Sequence, residues 1–191
     1  MVTTQQLASR LHHTAYTTKD MEKTRAFYEE VIGLPLVATW SESDELFGKV
    51  RTYCHCFFGL ADGGALAFFQ FADQDDERTF SPPIAETPFH HIALKVDHAT
   101  QEEIAGRIQA AGYTAPDTFV LEHGYCRSLY IRDPNGMLLE FTCDAPDAAL
   151  ASSSAGFIER SVADSSRNTN GTDAAPCATM RPGIENRLSG P

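Results

Sequence analysis

"FHHIALKVDHATQEEIAGRIQAAGYTAPDTF" (89–119) sets the fold, because "LHHTAYTTKDMEKTRAFYEEVIGLPLVATW" (11–40) carries the same parts in the same order. Each runs from a His-His pair through a short apolar strand into a helix, a glycine and another extended piece, the pattern of an internal duplication. In the first copy Thr18 or Asp20 can cap a helix whose apolar positions include Met21, Phe27, Tyr28, Val31 and Ile32, ended by Gly33. In the second, Thr100 with Glu103 reads as a capping box, Ile104, Ile108 and Ala111 as the apolar stripe, and Gly112 as the stop.

Strand-like runs follow each helix. In the first half they are "LPLVATW", "KVRTYCHCFFGL" and "ALAFFQF", with "ADGG" as a turn. In the second they are "YTAPDTFVLE", "CRSLYIRD" and "MLLEFTC", with "DPNG" as a turn. The sequence therefore predicts an α+β fold of two βαβββ modules, each a curved mixed sheet with a helix on its outer side, around a cup for a ligand. The domain spans 11–144, with module one at 11–75 and module two at 88–144, after an N-terminal extension at 1–10. From 145 to 191 the chain is rich in Ser, Ala, Asn, Asp, Gly and Pro without a sustained period, and is expected to be a disordered tail.

One residue breaks the pattern. Glu140 sits inside "MLLEFTC", which otherwise reads as a buried strand, and a charge there is costly unless it is paired or bound to a metal. Laying "GMLLEF" (136–141) over "GALAFF" (64–69) puts Phe68 opposite Glu140 and the two His-His pairs opposite each other. Alternation along a strand sends His12 and His13 to opposite faces, and likewise His90 and His91, so one of each pair can look into the cup.

Composition narrows the partner. The 191 residues carry a formal net charge of −11, which argues against nucleic acid and anionic membrane surfaces and for a small-molecule partner. No apolar stretch approaches the roughly 20 residues needed to cross a bilayer, and the first residues lack a signal-peptide pattern, so the cytoplasm is the expected compartment. Five cysteines (Cys54, Cys56, Cys126, Cys143 and Cys177) without a CxxC pair fit reduced thiols.

Over residues 11–144 these motifs resemble the vicinal oxygen chelate superfamily, which includes glyoxalase I, methylmalonyl-CoA epimerase, fosfomycin and bleomycin resistance proteins, and type I extradiol dioxygenases. The resemblance implies that His13 and His91, each directly before the apolar part of a first strand, and Glu140 are the metal ligands. Two histidines and a carboxylate suit non-haem Fe(II), with Mn, Zn or Ni also fitting, and leave coordination positions open for substrate. Phe68, where related isomerases often place a fourth ligand, cannot coordinate.

The segment from His123 to Glu140 is similar to the extradiol dioxygenase signature, supplying His123, Leu129, Tyr130, Asp133, Pro134, Gly136 and Glu140 in order, with Leu121 a departure. That similarity implies that His123 and Tyr130 hydrogen-bond substrate oxygens beside the metal. Ring-cleaving relatives usually carry a catalytic His where this chain has Gly63 and Gly64; His55, earlier on that strand, can substitute if the alternation of "YCHCF" turns it toward the cup, and equally that alternation can turn it outward.

Three functions follow. The first is an Fe(II) extradiol-type dioxygenase using O₂ on a catechol-like diol. The second is a glyoxalase- or epimerase-like metal-dependent isomerase or lyase. The third is a small-molecule binding or resistance protein whose cup is lined by Trp40, Phe57, Phe69 and Phe89. A homodimer is compatible with each.

Overall fold

The computed structural model describes residues 8–87 and 89–145, all within one compact unit. The expected tail, and with it Cys177, lies outside the described residues, as does most of the N-terminal extension. The elements are β1 (His13–Thr17), α1 (Met21–Ala26) continuing as a π-helix (Phe27–Ile32), β2 (Leu36–Leu46), β3 (Lys49–Gly59), β4 (Ala65–Phe71), α2 (Gln74–Phe80), β5 (His91–Lys95), α3 (His98–Ala110), β6 (Thr118–Glu122), β7 (Cys126–Arg132) and β8 (Leu138–Asp144). Two four-stranded sheets result, ordered β1-β4-β3-β2 and β5-β8-β7-β6. In each, the first strand pairs parallel to the last and the other pairs are antiparallel, so the two βαβββ modules and the mixed sheets are present as expected.

The helix starts follow from their caps. Asp20 accepts from the Lys23 amide at 2.9 Å, satisfying one of the unpaired donors of the first turn. The capping box expected at Thr100 and Glu103 is not used. Asp97 caps α3 instead, accepting from the Thr100 amide at 2.8 Å, so the helix begins three residues before Gln101. Helix α2, in the stretch between the modules, is capped by Asp73, which accepts from the amides of Asp75 and Asp76.

The widening of the first helix has a packing reason. Phe27, Tyr28 and Ile32 are all buried, and the five-residue step from Phe27 to Ile32 is a π-helical rather than an α-helical repeat. The turn closes with the Gly33 amide donating to the Tyr28 carbonyl at 2.9 Å, and Gly33 takes φ +90°, a conformation that favours glycine. Against this helix packs one face of the first sheet, where the Tyr28 ring meets Phe58 and Phe68, each with centroids 5.0 Å away.

The helical layers of the modules join. Ile104 and Ile108 of α3 share one apolar cluster with Met21, Phe27 and Ile32, and the Phe27 and Tyr113 rings meet edge to face at 5.9 Å. Polar ties cross the same seam. The Tyr28 hydroxyl donates to Asp133 Oδ2 at 3.0 Å, Asn135 Nδ2 donates to Thr24 Oγ1 at 3.3 Å, and Arg107 donates to the last carbonyls of the π-helix, Val31 and Ile32. The opposite face of each sheet, here its open face, is not the one packed against α1 and α3.

The register corrects one equivalence. His13 pairs with Ala65 and Ala15 with Ala67, while His91 pairs with Leu138 and Ala93 with Glu140. The counterpart of Glu140 is therefore Ala67, and Phe68 is a fully buried residue on the helix side. Gly63 (φ +79°), not Gly64, matches the turn glycine Gly136 (φ +91°), which moves the alignment by one residue. A one-residue slip in a strand exchanges its faces. Ala67 cannot coordinate either, so three candidate ligands remain.

Candidate metal centre

Alternation places the candidate side chains. Along β5 the odd residues His91, Ala93 and Lys95 are exposed and the even ones turn to the helix, so His91 stands on the open face of the second sheet. Glu140 pairs across β8 with Ala93 on one side and Tyr130 on the other, putting His91, Tyr130 and Glu140 on one face. His91 Nε2 lies 2.9 Å from Glu140 Oε2. That imidazole is the companion the buried carboxylate required.

The carboxylate is held from behind. Its other oxygen, Oε1, accepts from Ser128 Oγ at 2.6 Å and from Thr142 Oγ1 at 2.8 Å. Burial opposes ionisation of Glu140, but the hydrogen bonds from Ser128, Thr142 and Tyr130, with the neighbouring His91, outweigh it and hold the carboxyl below its ordinary range. Glu140 is thus an anion at neutral pH with one oxygen anchored and the other turned to His91. A ligating carboxylate is commonly oriented by such outer partners. Ser128 and Thr142 carry no motif signal, although Thr142, two residues beyond Glu140 on one strand, shares its face by alternation.

Tyr130 is buried, stacked on Phe119 at 4.8 Å and edge-on to His91 at 6.1 Å. Burial, then the nearby Glu140 charge, pushes its hydroxyl above the ordinary tyrosine range, so it is a proton-bearing donor at neutral pH. His123 is not on a strand. It is an exposed residue of the β6–β7 turn whose ring stacks on Tyr125 at 5.9 Å, and its amide donates to the Cys126 carbonyl at 2.9 Å.

His13 stands on the open face of the first sheet, the place equivalent to His91. Its Nδ1 is 2.8 Å from His12 Nδ1 and its ring meets Phe57 edge-on at 5.4 Å. The structure brings His91 and Glu140 together and does not bring His13 to them: among the described residues, no group of three or more His, Cys, Asp or Glu side chains is placed to hold one ion. His91 and Glu140 therefore fit a divalent cation in donor chemistry but supply two of its ligands.

The open face of the first sheet is aromatic. The His55 ring stacks on Phe69 at 3.6 Å and meets Phe57 at 4.4 Å and Trp40 at 4.9 Å. By register His55, Phe57 and Phe69 lie on the same face as His13 and Ala67. His55 is buried, its Nε2 has no hydrogen-bond partner among the described residues, and burial lowers its pKa, so the ring is neutral at pH 7. Phe89 is 86% exposed and stands apart from these rings' contacts. Cys54, Cys56, Cys126 and Cys143 are free thiols, as expected. No helix among the described residues is long and apolar enough to cross a membrane.

Residues 10–141 match the model of the Glyoxalase/Bleomycin resistance protein/Dioxygenase superfamily. A Vibrio parahaemolyticus protein named "Probable lactoylglutathione lyase" is 27% identical over 133 residues, covering 69% of this chain and 88% of that one. The "Glutathione transferase FosA" of Serratia marcescens is 27% identical over 141 residues, covering 74% and 85%. Among solved structures, the fosfomycin resistance protein FosX of Listeria monocytogenes, in a complex with Mn(II), superposes with a TM-score of 0.53 at 23% identity, covering 75% of this chain and 99% of that one.

Proposed function

Since the chain belongs to the Glyoxalase/Bleomycin resistance protein/Dioxygenase superfamily, we propose that it is a metal-dependent enzyme acting on a small substrate that chelates through two oxygens. The observation that carries this reading is the His91–Glu140 pair, 2.9 Å apart on an open sheet face with Ser128 and Thr142 fixing the carboxylate. His91 and Glu140 would hold the ion, and His13 from a second copy of the chain would complete the set, since its own chain does not bring it there. Two-fold symmetry makes such sharing reciprocal, giving two sites per dimer. A divalent ion bound there supplies Lewis acidity and open positions for substrate oxygens.

The residues of the chain then have defined tasks. Ser128 and Thr142 keep Glu140 turned toward the ion. Tyr130, proton-bearing beside the carboxylate, donates to a substrate oxygen, and His123 contacts the substrate from the β6–β7 turn. The lyase and transferase names of the relatives favour enediolate-type or addition chemistry over ring cleavage, with Mn, Zn or Ni as well as Fe(II) suited to the donors.

A second reading, Fe(II)-dependent extradiol cleavage of a catechol-like diol with O₂, rests on His55. A neutral imidazole on the His13 face offers the base that the Gly63–Gly64 turn lacks. Oxygen uptake by iron-loaded protein with catechols favours it; turnover without O₂ on an α-hydroxy-carbonyl or epoxide panel favours the first.

The shared site is tested by mixing two inactive variants. His13→Ala and Glu140→Ala are each expected to lose stoichiometric metal. Refolded together, they should regain about one quarter of the parent's metal content, because half of the random dimers hold one intact site of two. Mixed dimers that stay empty would refute sharing, and full metal content in Glu140→Ala alone would refute the site.

A further inference from the structure

A recess of about 710 Å³ opens where the end of β1, the start of α1 and the segment after α2 meet. Ala15 and Thr17, on the face of β1 that carries His13, form its floor, and Phe69, Phe80 and Ile84 give it an apolar wall. Two of the four lysines of the chain, Lys19 and Lys23, line it. Neither has a carboxylate partner among the described residues, whereas Lys49 and Lys95 are both ion-paired. In a protein with a net charge of −11, two unpaired ammonium groups beside one cavity form a local positive field.

A second observation lies in the wall. Ser81 is 6% exposed and its Oγ has no hydrogen-bond partner among the described residues. A buried hydroxyl without a partner loses its water without compensation, and a ligand oxygen in the recess would restore the bond. The segment around it is tied down, with Thr17 Oγ1 donating to the Phe80 carbonyl at 3.2 Å. Asp20 also lines the recess, but one of its oxygens is engaged in capping α1. Two ammonium groups against one carboxylate leave a single net positive charge, which neutralises a monoanion, whereas a dianion would carry an uncompensated charge against the apolar wall.

We propose that this recess binds an organic monoanion, a carboxylate on a flat apolar body, with the charge between Lys19 and Lys23, Ser81 Oγ donating to it, and the body against Phe69, Phe80 and Ile84. The inference goes beyond the metal reading and stands without it. The test uses the full chain and two fluorinated probes, 4-fluorophenylacetate and its uncharged match 4-fluorophenylacetamide, titrated by ¹⁹F NMR. The acid should bind at least about fivefold tighter than the amide, an advantage that the charge field supplies. Lys19→Gln with Lys23→Gln should erase the difference, Ser81→Ala should weaken the acid about three- to tenfold through the lost hydrogen bond, and Lys95→Gln, on β5 of the other sheet, should change nothing. Saturating EDTA should leave acid binding intact, which separates this site from any carboxylate held on a metal. Equal affinity for acid and amide, parental binding by the double lysine variant, or loss of acid binding in EDTA would each overturn the proposal.

Discussion

The two modules share topology and register yet differ at a few open-face positions. Opposite one another stand His13 and His91, Ala67 and Glu140, Phe57 and Tyr130, His55 and Ser128, Phe69 and Thr142. The first strand keeps its histidine in both. Across the neighbouring strands, module two has an acid, a phenol and two hydroxyls where module one has a methyl group and a row of rings. The helix-side residues that make the fold are apolar in both modules, so the chemistry is set by side chains that the fold leaves free to vary.

The comparison can be broken from either side. The largest effect is expected for Ala67→Glu, which copies the acid of module two into module one. Ala67 is fully buried, and a carboxylate there has His13 on its face as Glu140 has His91. His55 and Phe69 stand where Ser128 and Thr142 anchor Glu140, so burying and overpacking it should cost about 3 kcal/mol of stability, read by urea denaturation. Next, Ser128→Ala removes one of the two hydroxyls on Glu140 Oε1 and should weaken metal binding by about 10- to 100-fold in a chelator competition while the fold persists. The seam sharpens the comparison further. Tyr28→Phe leaves the buried Asp133 short of a donor and should cost about 1–2 kcal/mol, although Tyr28 belongs to module one and Asp133 to module two. Smallest, Asp97→Ala and Asp20→Ala should each cost about 1 kcal/mol, and equal losses would show that the two helices are capped alike.

Much of this was legible in the residues. The duplicated His-His strands and the βαβββ order are period-2 and period-3.6 signals, and the acid stands out as a break in one of them. Alternation leaves open which histidine of each pair faces the cup; the family resemblance chooses His13 and His91 and singles out Tyr130, and the register has these three on the same faces as Ala67 and Glu140. What failed was local. "ADGG" offers two adjacent glycines, and only the backbone reveals that Gly63 takes the positive φ, so the equivalence slipped by one residue to Phe68. Asp97 outcompeted Thr100 as a cap because it reaches the Thr100 amide itself. The support of Glu140 by Ser128 depends on cross-strand register, which spacing along one strand does not encode.

The seam has a consequence for how the molecule comes apart. One guanidinium, that of Arg107, closes the carbonyl end of the other module's helix, and a Cβ at Gly33 would come within 2.9 Å of it. Neither half can lose its helix without exposing the other's buried polar groups. Despite its duplicated ancestry, the domain should melt in a single calorimetric step, with the van't Hoff and measured enthalpies in agreement.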